Sequence, residues 1–273
     1  MLNIFRKKNK STNADIVDRP NPSKEFLQNR YQAMVHVNNN FKKFAGMAGN
    51  ELEDFHWIKF ELTSPSFEDF TFAYRNQIFS VVVEKATRTD KGQFAFGNSQ
   101  RIKTLLQVCE DNNLVPCIYP IIKKEGIPYY LGTWNLIHAA TGKFADPTDL
   151  ASDEPIEVSD WEFNNWAIQI VMNSIKEQGF QLLSYCDMPG IAPQIWFNNA
   201  EGKHCWIEVL PITPGGNKPD FSKECFPPQV LEHDGYAAEV SFAASETDRV
   251  SKIYRAKGAD INFDGIKQIH VAR

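Results

Sequence analysis

Two runs constrain this chain more than any other stretch: Cys205-Trp206-Ile207-Glu208-Val209-Leu210 and Ser80-Val81-Val82-Val83-Glu84-Lys85. Both are dominated by β-branched or aromatic residues, which suit a strand packed on a pleated surface. Each carries a single carboxylate near its end. Each follows a second apolar run across a short polar turn, and each precedes a stretch that reads helix, then strand. They read as the central strands of two related halves.

Taken in order, the chain supports that division. Residues 1–22 begin Met1-Leu2-Asn3-Ile4-Phe5-Arg6-Lys7-Lys8, hold no sustained apolar period and end near Pro20 and Pro22. They read as a disordered basic N-terminal tail, without the apolar core of a secretory signal. Residues 23–145 form the first unit. Ser23 caps a helix with Phe26, Leu27, Met34, Val35 and Phe41 at helical spacing. Strands follow over Phe55–Leu62, Asp69–Tyr74 and Ile78–Glu84, then a helix from Ser99. Leu114–Ile122 is a strand that Pro116 and Pro120 should make short or partly an edge. Tyr129–His138 is the last strand of the unit.

Residues 146–159, with Pro147, Asp149, Asp153, Glu154, Pro155 and Glu157, read as an acidic linker. The second unit, 160–273, repeats the order. It has an amphipathic helix from Trp161 to Ile175, strands at Phe180–Tyr185, Gln194–Phe197 and His204–Leu210, and a helix near Lys223–His233. Strands at Tyr236–Ala244 and Ile253–Phe263 close it. The fold class is therefore α/β with mixed sheets (α+β), as two tandem α-β-β-β-α-β units. The two glutamates, Glu84 and Glu208, lie 124 residues apart and pair in this reading. The likeness is one of pattern rather than of residue identity.

That order of elements resembles the core of the restriction-endonuclease-like fold, the PD-(D/E)XK nuclease superfamily. The helix around Gln100-Arg101-Ile102-Lys103 leading into Leu114-Val115-Pro116 is similar to it as well. Pro193-Gln194-Ile195-Trp196-Phe197 and Gly235-Tyr236-Ala237-Ala238-Glu239-Val240 resemble uncharacterised bacterial proteins.

The resemblance implies a specific chemistry. An Asp opening the second strand and an acid on the third hold a divalent cation, Mg in a nuclease. A Lys two residues past the second acid faces the same side, because strand side chains alternate. The metal lowers the pKa of the attacking water. In the first unit Asp69 (or Glu68) and Glu84 are the candidate catalytic and metal-binding acids. The Lys position is Ala86, Lys85 points away, and a migrated cation would be Lys103 or Arg101. In the second unit the candidates are Asp187, Gln194 and Glu208. There the Lys position is Leu210, the place matching Asp69 falls near Ala192, and an amide is a poor ligand for a hard cation.

Composition weighs on the same choice. A formal net charge of −5 among 273 residues and an isoelectric point near 5.7 give no global attraction to phosphate. Five cysteines with no CxxC pair argue for a reducing compartment over a disulfide framework. No apolar run reaches the roughly 20 residues of a membrane span. No GxSxG, HExxH, P-loop or GxGxxG occurs. His204 and Glu208 share a strand face around Trp206, too far apart for one metal without a third ligand. Trp161, Trp166, Trp196, Trp206, Phe197 and Phe221 cluster in the second half; most should be core, and an excess would suit an interface, because such residues are enriched where proteins meet.

The expectation is therefore a non-catalytic binding or interaction protein on a degenerate nuclease-like scaffold, in a bacterial cytoplasm. Its partner would be a protein, or a second copy by self-association. It would have no cofactor, and nucleic acid is not favoured. Two alternatives stand beside it. One is a divergent Mg-dependent nuclease using Asp69 and Glu84. The other is an immunity or defence-associated protein that binds a partner enzyme.

Overall fold

A computed structural model describes residues 23–48, 54–60, 68–88, 94–97, 99–124, 127–187, 190–216, 226–244 and 252–269. The N-terminal tail of the sequence reading lies outside them. Two mixed sheets, each built on a three-stranded meander followed by a parallel strand, organise the chain.

In the first unit a long helix, α1 (Lys24–Ala48), precedes β1 (Phe55–Lys59), β2 (Phe70–Tyr74) and β3 (Gln77–Arg88). These strands pair antiparallel. The short β4 (Phe94–Phe96) folds back on the end of β3. Helix α2 (Ser99–Asp111) then crosses over, and β5 (Val115–Lys124) returns parallel to β3. The alternation along β3 sorts its side chains between two layers. Phe79, Val81 and Val83 pack beneath α1 with Ala33, Val37 and Phe41. Ile78 and Val82 pack beneath α2 with Leu105 and Cys109. Covering both faces explains the near-continuous apolar run.

β5 is longer than its prolines suggest. Its far side is paired only in patches, by β6 (Ile127–Tyr129) and β7 (Ile137–His138). At Pro120 the partner is not a strand but the Asn135 side-chain amide, which donates to the Pro120 carbonyl at 3.1 Å. A residue without an N–H is tolerated where no ladder asks for one.

Between the units, the acidic stretch is ordered against the first sheet. It contains a short helix, α3 (Pro147–Leu150), capped by Asp146. The Asn76 side chain exchanges hydrogen bonds with Ser152 and reaches the Glu154 carbonyl.

Helix α4 (Asp160–Glu177) opens the second unit with a full capping box. Ser159 accepts from the Glu162 N–H, and the Glu162 carboxylate accepts from the Ser159 N–H. β8 (Gln181–Tyr185), β9 (Ile195–Asn198) and β10 (His204–Ile212) form the meander. β11 (Asp234–Ala244) runs parallel to β10. β12 (Ala259–Phe263) and β13 (Lys267–Ile269) pair antiparallel with the last and first parts of β11, along the edge away from β10. Ile195, Phe197, Cys205, Ile207, Val209, Ala238 and Val240 meet Ala167, Ile168, Val171 and Met172 of α4 in one core.

The crossover between β10 and β11 differs from the expected helix. The described part is only α5 (Pro228–Leu231), entered through Pro227; residues 223–225 lie outside the described set. Trp206 packs against this described part. Its indole N–H donates to the Val230 carbonyl at 2.8 Å, and its ring lies 4.7 Å from that of Phe226.

Details of register tie the units more closely than element order does. β1 and β8 carry a bulge on the same rung, after Trp57 opposite Phe72 and after Leu182 opposite Phe197. The residue before β2, Asp69, donates its N–H to Val81 and accepts from the Val83 N–H. The residue before β9, Gln194, donates its N–H to Ile207 and its side-chain oxygen accepts from the Val209 N–H. Gln194, not Ala192, is thus the counterpart of Asp69. By the same bonds Glu84 corresponds to Leu210, and Glu208 to Val82. The two glutamates share a face but sit one pleat apart.

The units are not separate bodies. Trp161, in the first turn of α4, is buried in the α2 layer of the first unit. Arg255 pairs with Glu162 at 2.6 Å and donates to the carbonyls of Asn112 and Asn113, where α2 ends. Those carbonyls have no intrahelical partner, so a buried guanidinium satisfies them while neutralising the capping-box acid.

Candidate functional site

The first unit brings together the residues that its sequence singles out, but binds them to one another. Asp69 sits in the turn before β2, 2% exposed. One carboxylate oxygen accepts from the Val83 N–H at 2.6 Å, and the other faces the Arg101 guanidinium at 2.8 Å. Arg101 lies in the first turn of α2, which points its side chain back over the end of β3. It also reaches Glu84 at 3.4 Å. Arg30 of α1 approaches Asp69 from the other side, 3.9 Å away.

The titration of these groups follows from their surroundings. Burial lowers the pKa of Arg101, but Asp69 and then Glu84 more than offset it, and the group is held above its ordinary value. For Glu84 burial raises the pKa, and Arg101 at its longer contact only partly compensates. Arg30 is lowered, chiefly by burial against the attraction of Asp69. The cluster is a charge-assisted clamp between α1, the sheet and α2.

Lys103 stands elsewhere. It is exposed on α2, and the cation between the acids is Arg101. Lys85 points off the opposite face to Glu25, 3.1 Å away, as strand alternation requires. A divalent ion implied by the nuclease resemblance does not fit this arrangement. Both Asp69 oxygens are engaged, and a fixed positive charge stands between the acids. Among the described residues no group of three or more His, Cys, Asp or Glu side chains forms a ligand set.

The second unit separates its three candidates. Asp187 is fully buried in the loop after β8 and faces the first unit, where both its oxygens accept from Lys59. Gln194 is spent on the Val209 N–H. Glu208 lies on the face of β10 away from α4, part-buried. Its Oε2 is withdrawn from water and makes no hydrogen bond. Burial alone pushes its pKa up to about 7.

Lys59 is the residue the sequence reading missed. It lies 2.7 Å from Asp187 and 3.1 Å from Glu68. Burial opposes its charge, yet Glu68 and Asp187 prevail and raise its pKa. Because Glu68 adjoins Asp69, a line of buried charges runs from the second unit's loop to α2. The signal was a lone lysine closing the apolar run Phe55-His56-Trp57-Ile58-Lys59.

Among the described residues the histidines are part of no group of three or more potential metal ligands. His56 and His138 lie on different strands. His204 and His233 come close, with ring centroids 5.9 Å apart beside Trp196. Cys109, Cys117, Cys186 and Cys205 are free thiols. Burial pushes the Cys109 thiol up to about 12, which leaves it unreactive as a nucleophile at neutral pH.

Comparison with known proteins adds one finding. A family model described as a domain of unknown function (DUF8840) matches residues 161–269, which spans the second unit from the first turn of α4 to β13. No curated protein and no solved structure matches. No helix among the described residues is long and apolar enough to cross a membrane.

Proposed function

We propose that this chain is a non-catalytic binding protein on a degenerate nuclease-like scaffold, acting on a protein partner in a reducing compartment such as a bacterial cytoplasm. One observation carries the reading: the Arg101 guanidinium stands between Asp69 and Glu84, where phosphodiester hydrolysis on such a scaffold would need a shared divalent ion. An arginine cannot give up its proton at any ordinary pH. It can neither activate water as a base nor leave the acids free to ligate. The free thiols support the reducing compartment. The net charge of −5 supports a protein over a nucleic-acid partner.

The test is direct. The full chain is incubated with single- and double-stranded DNA and RNA in Mg²⁺ and in Mn²⁺, beside Glu84→Gln. No cleavage above the variant, together with a melting temperature unmoved by either ion, is the expected result. Cleavage that disappears in Glu84→Gln would overturn the reading and establish the divergent nuclease.

A further inference from the structure

We propose that the cleft between α1 and the outer edge of β5 binds a proline-containing segment of a partner protein. This rests on the binding reading above and names the chemistry of what is bound.

The cleft lies where β5 passes from its pairing with β7 at Ile118 to its pairing with β6 at Ile122. It encloses about 330 Å³, its open mouth included. β5 contributes Tyr119 and Pro120, α1 contributes Asn29 and Gln32, and Tyr129 and Tyr130 stand half-exposed beside them. None of the residues lining it is charged. Asn29 is nine-tenths buried, yet its carboxamide makes no hydrogen bond among the described residues, and neither does that of Gln32. The two lie three positions apart on α1 and so share a face. Each offers N–H donors that an occupant of the cleft can take up.

Two of the tyrosines are set in place by α1 before anything binds. The Asn40 amide nitrogen donates to the Thr133 carbonyl at 2.8 Å and lies 3.1 Å from His36 Nε2. A carbonyl only accepts, so that nitrogen also donates to Nε2, and the neutral ring carries its proton on Nδ1. Burial lowers the His36 pKa and keeps the ring neutral. Nδ1 then donates to the Tyr119 hydroxyl at 2.9 Å, while Tyr130 stacks on the same imidazole with centroids 4.4 Å apart. A wall fixed in advance costs little ordering when it is used. The lining selects the occupant. Without a cation it offers nothing to a phosphate, and without an acid nothing to a lysine or arginine. A proline-containing strand in the polyproline II form has no internal hydrogen bonds, so its carbonyls are free to accept from both carboxamides. Its pyrrolidine rings pack on tyrosine faces, as in other aromatic-lined grooves that take such segments.

The probe is the peptide acetyl-Leu-Pro-Pro-Leu-Pro-Pro-Leu-amide, with a twin in which alanine replaces every proline. Each is titrated into the full chain, labelled with ¹⁵N, and the side-chain amide signals of Asn29 and Gln32 are followed by NMR. Saturable binding of the proline peptide, at least tenfold tighter than the alanine twin, is expected, with both carboxamides shifting. Tyr129→Ala removes a half-exposed ring, and Gln32→Glu keeps the shape while removing the donor. Each should weaken binding fivefold or more with the fold intact by circular dichroism. Equal affinity for the two peptides, no saturable binding, or undiminished binding in both variants overturns the proposal. Uridine, a neutral ring without phosphate, is titrated in parallel; shifts of the same amides by uridine and not by the proline peptide would overturn it in favour of a nucleobase. Metal-dependent cleavage would instead sink the binding reading and leave this titration standing.

Discussion

Lys59 and Asp187 lie in different units, yet the Lys59 ammonium donates to both Asp187 oxygens, at 2.8 and 2.7 Å. Both side chains are almost wholly buried. Asn165 of α4 donates to the same carboxylate at 3.1 Å, and Asn164 to the Asp187 carbonyl at 3.3 Å. The contact is therefore an anchor with several supports, fixing the loop after β8 against β1. Buried ion pairs add little when compared with an apolar replacement, but losing one partner leaves a charge stranded. Asp187→Ala should destabilise the chain by about 3–5 kcal/mol on that ground. Urea unfolding followed by tryptophan fluorescence measures it. A loss below about 1 kcal/mol, the range of surface pairs, would mean that Glu68 alone holds the lysine.

Arg101→Ala makes a second prediction. Removing the guanidinium takes away the cation that Asp69 and Glu84 share, and leaves Arg30 3.9 Å from Asp69. The chain should lose about 3–5 kcal/mol, as for other buried pairs broken on one side. Glu84 should titrate higher still, because the attraction that now lowers it is gone. The variant should also show a larger rise in melting temperature on adding Mg²⁺ than the native chain, since a ligand that binds only the folded state stabilises it. Thermal melts of both proteins with and without Mg²⁺ decide the point. An unchanged response in Arg101→Ala would show that the acids are not placed to share a cation.

The extent to which sequence exposes this structure depends on the range of the physics involved. Strand and helix periods are local, and the two meanders, α1, α2 and α4 follow from them. Asp69 and Glu84 were legible because a strand start and a strand end fix where side chains point. Arg101 against Lys103 was not legible, since the choice depends on how α2 is rotated over the sheet. The pairing of Glu84 with Glu208 missed by one pleat. Register is set by the Asp69 and Gln194 side chains clamping a neighbouring strand's N–H, and neither residue type announces that role. Lys59–Asp187 and Arg255–Glu162 join residues about a hundred positions apart, for which no local period exists.

Glu208 gives a third prediction, in pH. Its ordinary value is 4.5 and its folded value is raised to about 7. Between those values the folded chain holds a proton that the unfolded chain has released. Stability contributed by this group is therefore full below pH 4.5, falls as pH rises through the window and stays lost above pH 7. Glu208→Gln should remove that slope. At pH 8 it should exceed the native chain in stability by about 1–2 kcal/mol, a figure reduced for the solvent that reaches a part-exposed carboxyl. Denaturation midpoints from pH 5 to pH 8 test it, and parallel curves for the two proteins would refute the assignment.

The last prediction concerns Gly235, where β11 begins. A Cβ built there would stand 2.3 Å from the Trp206 ring. The ring has little freedom to withdraw, because its N–H is bonded to the Val230 carbonyl and Phe226 packs against it. The glycine is needed for space rather than for an unusual backbone angle. Gly235→Ala should cost about 1–3 kcal/mol, the range for overpacking a filled core, and should shift Trp206 emission as the indole moves. The companion Trp206→Phe, Gly235→Ala removes the larger ring along with the crowding. If crowding is the cause, adding Gly235→Ala to Trp206→Phe costs clearly less than adding it to the native chain. Equal costs in the two backgrounds would place the requirement for glycine in the backbone of β11 instead.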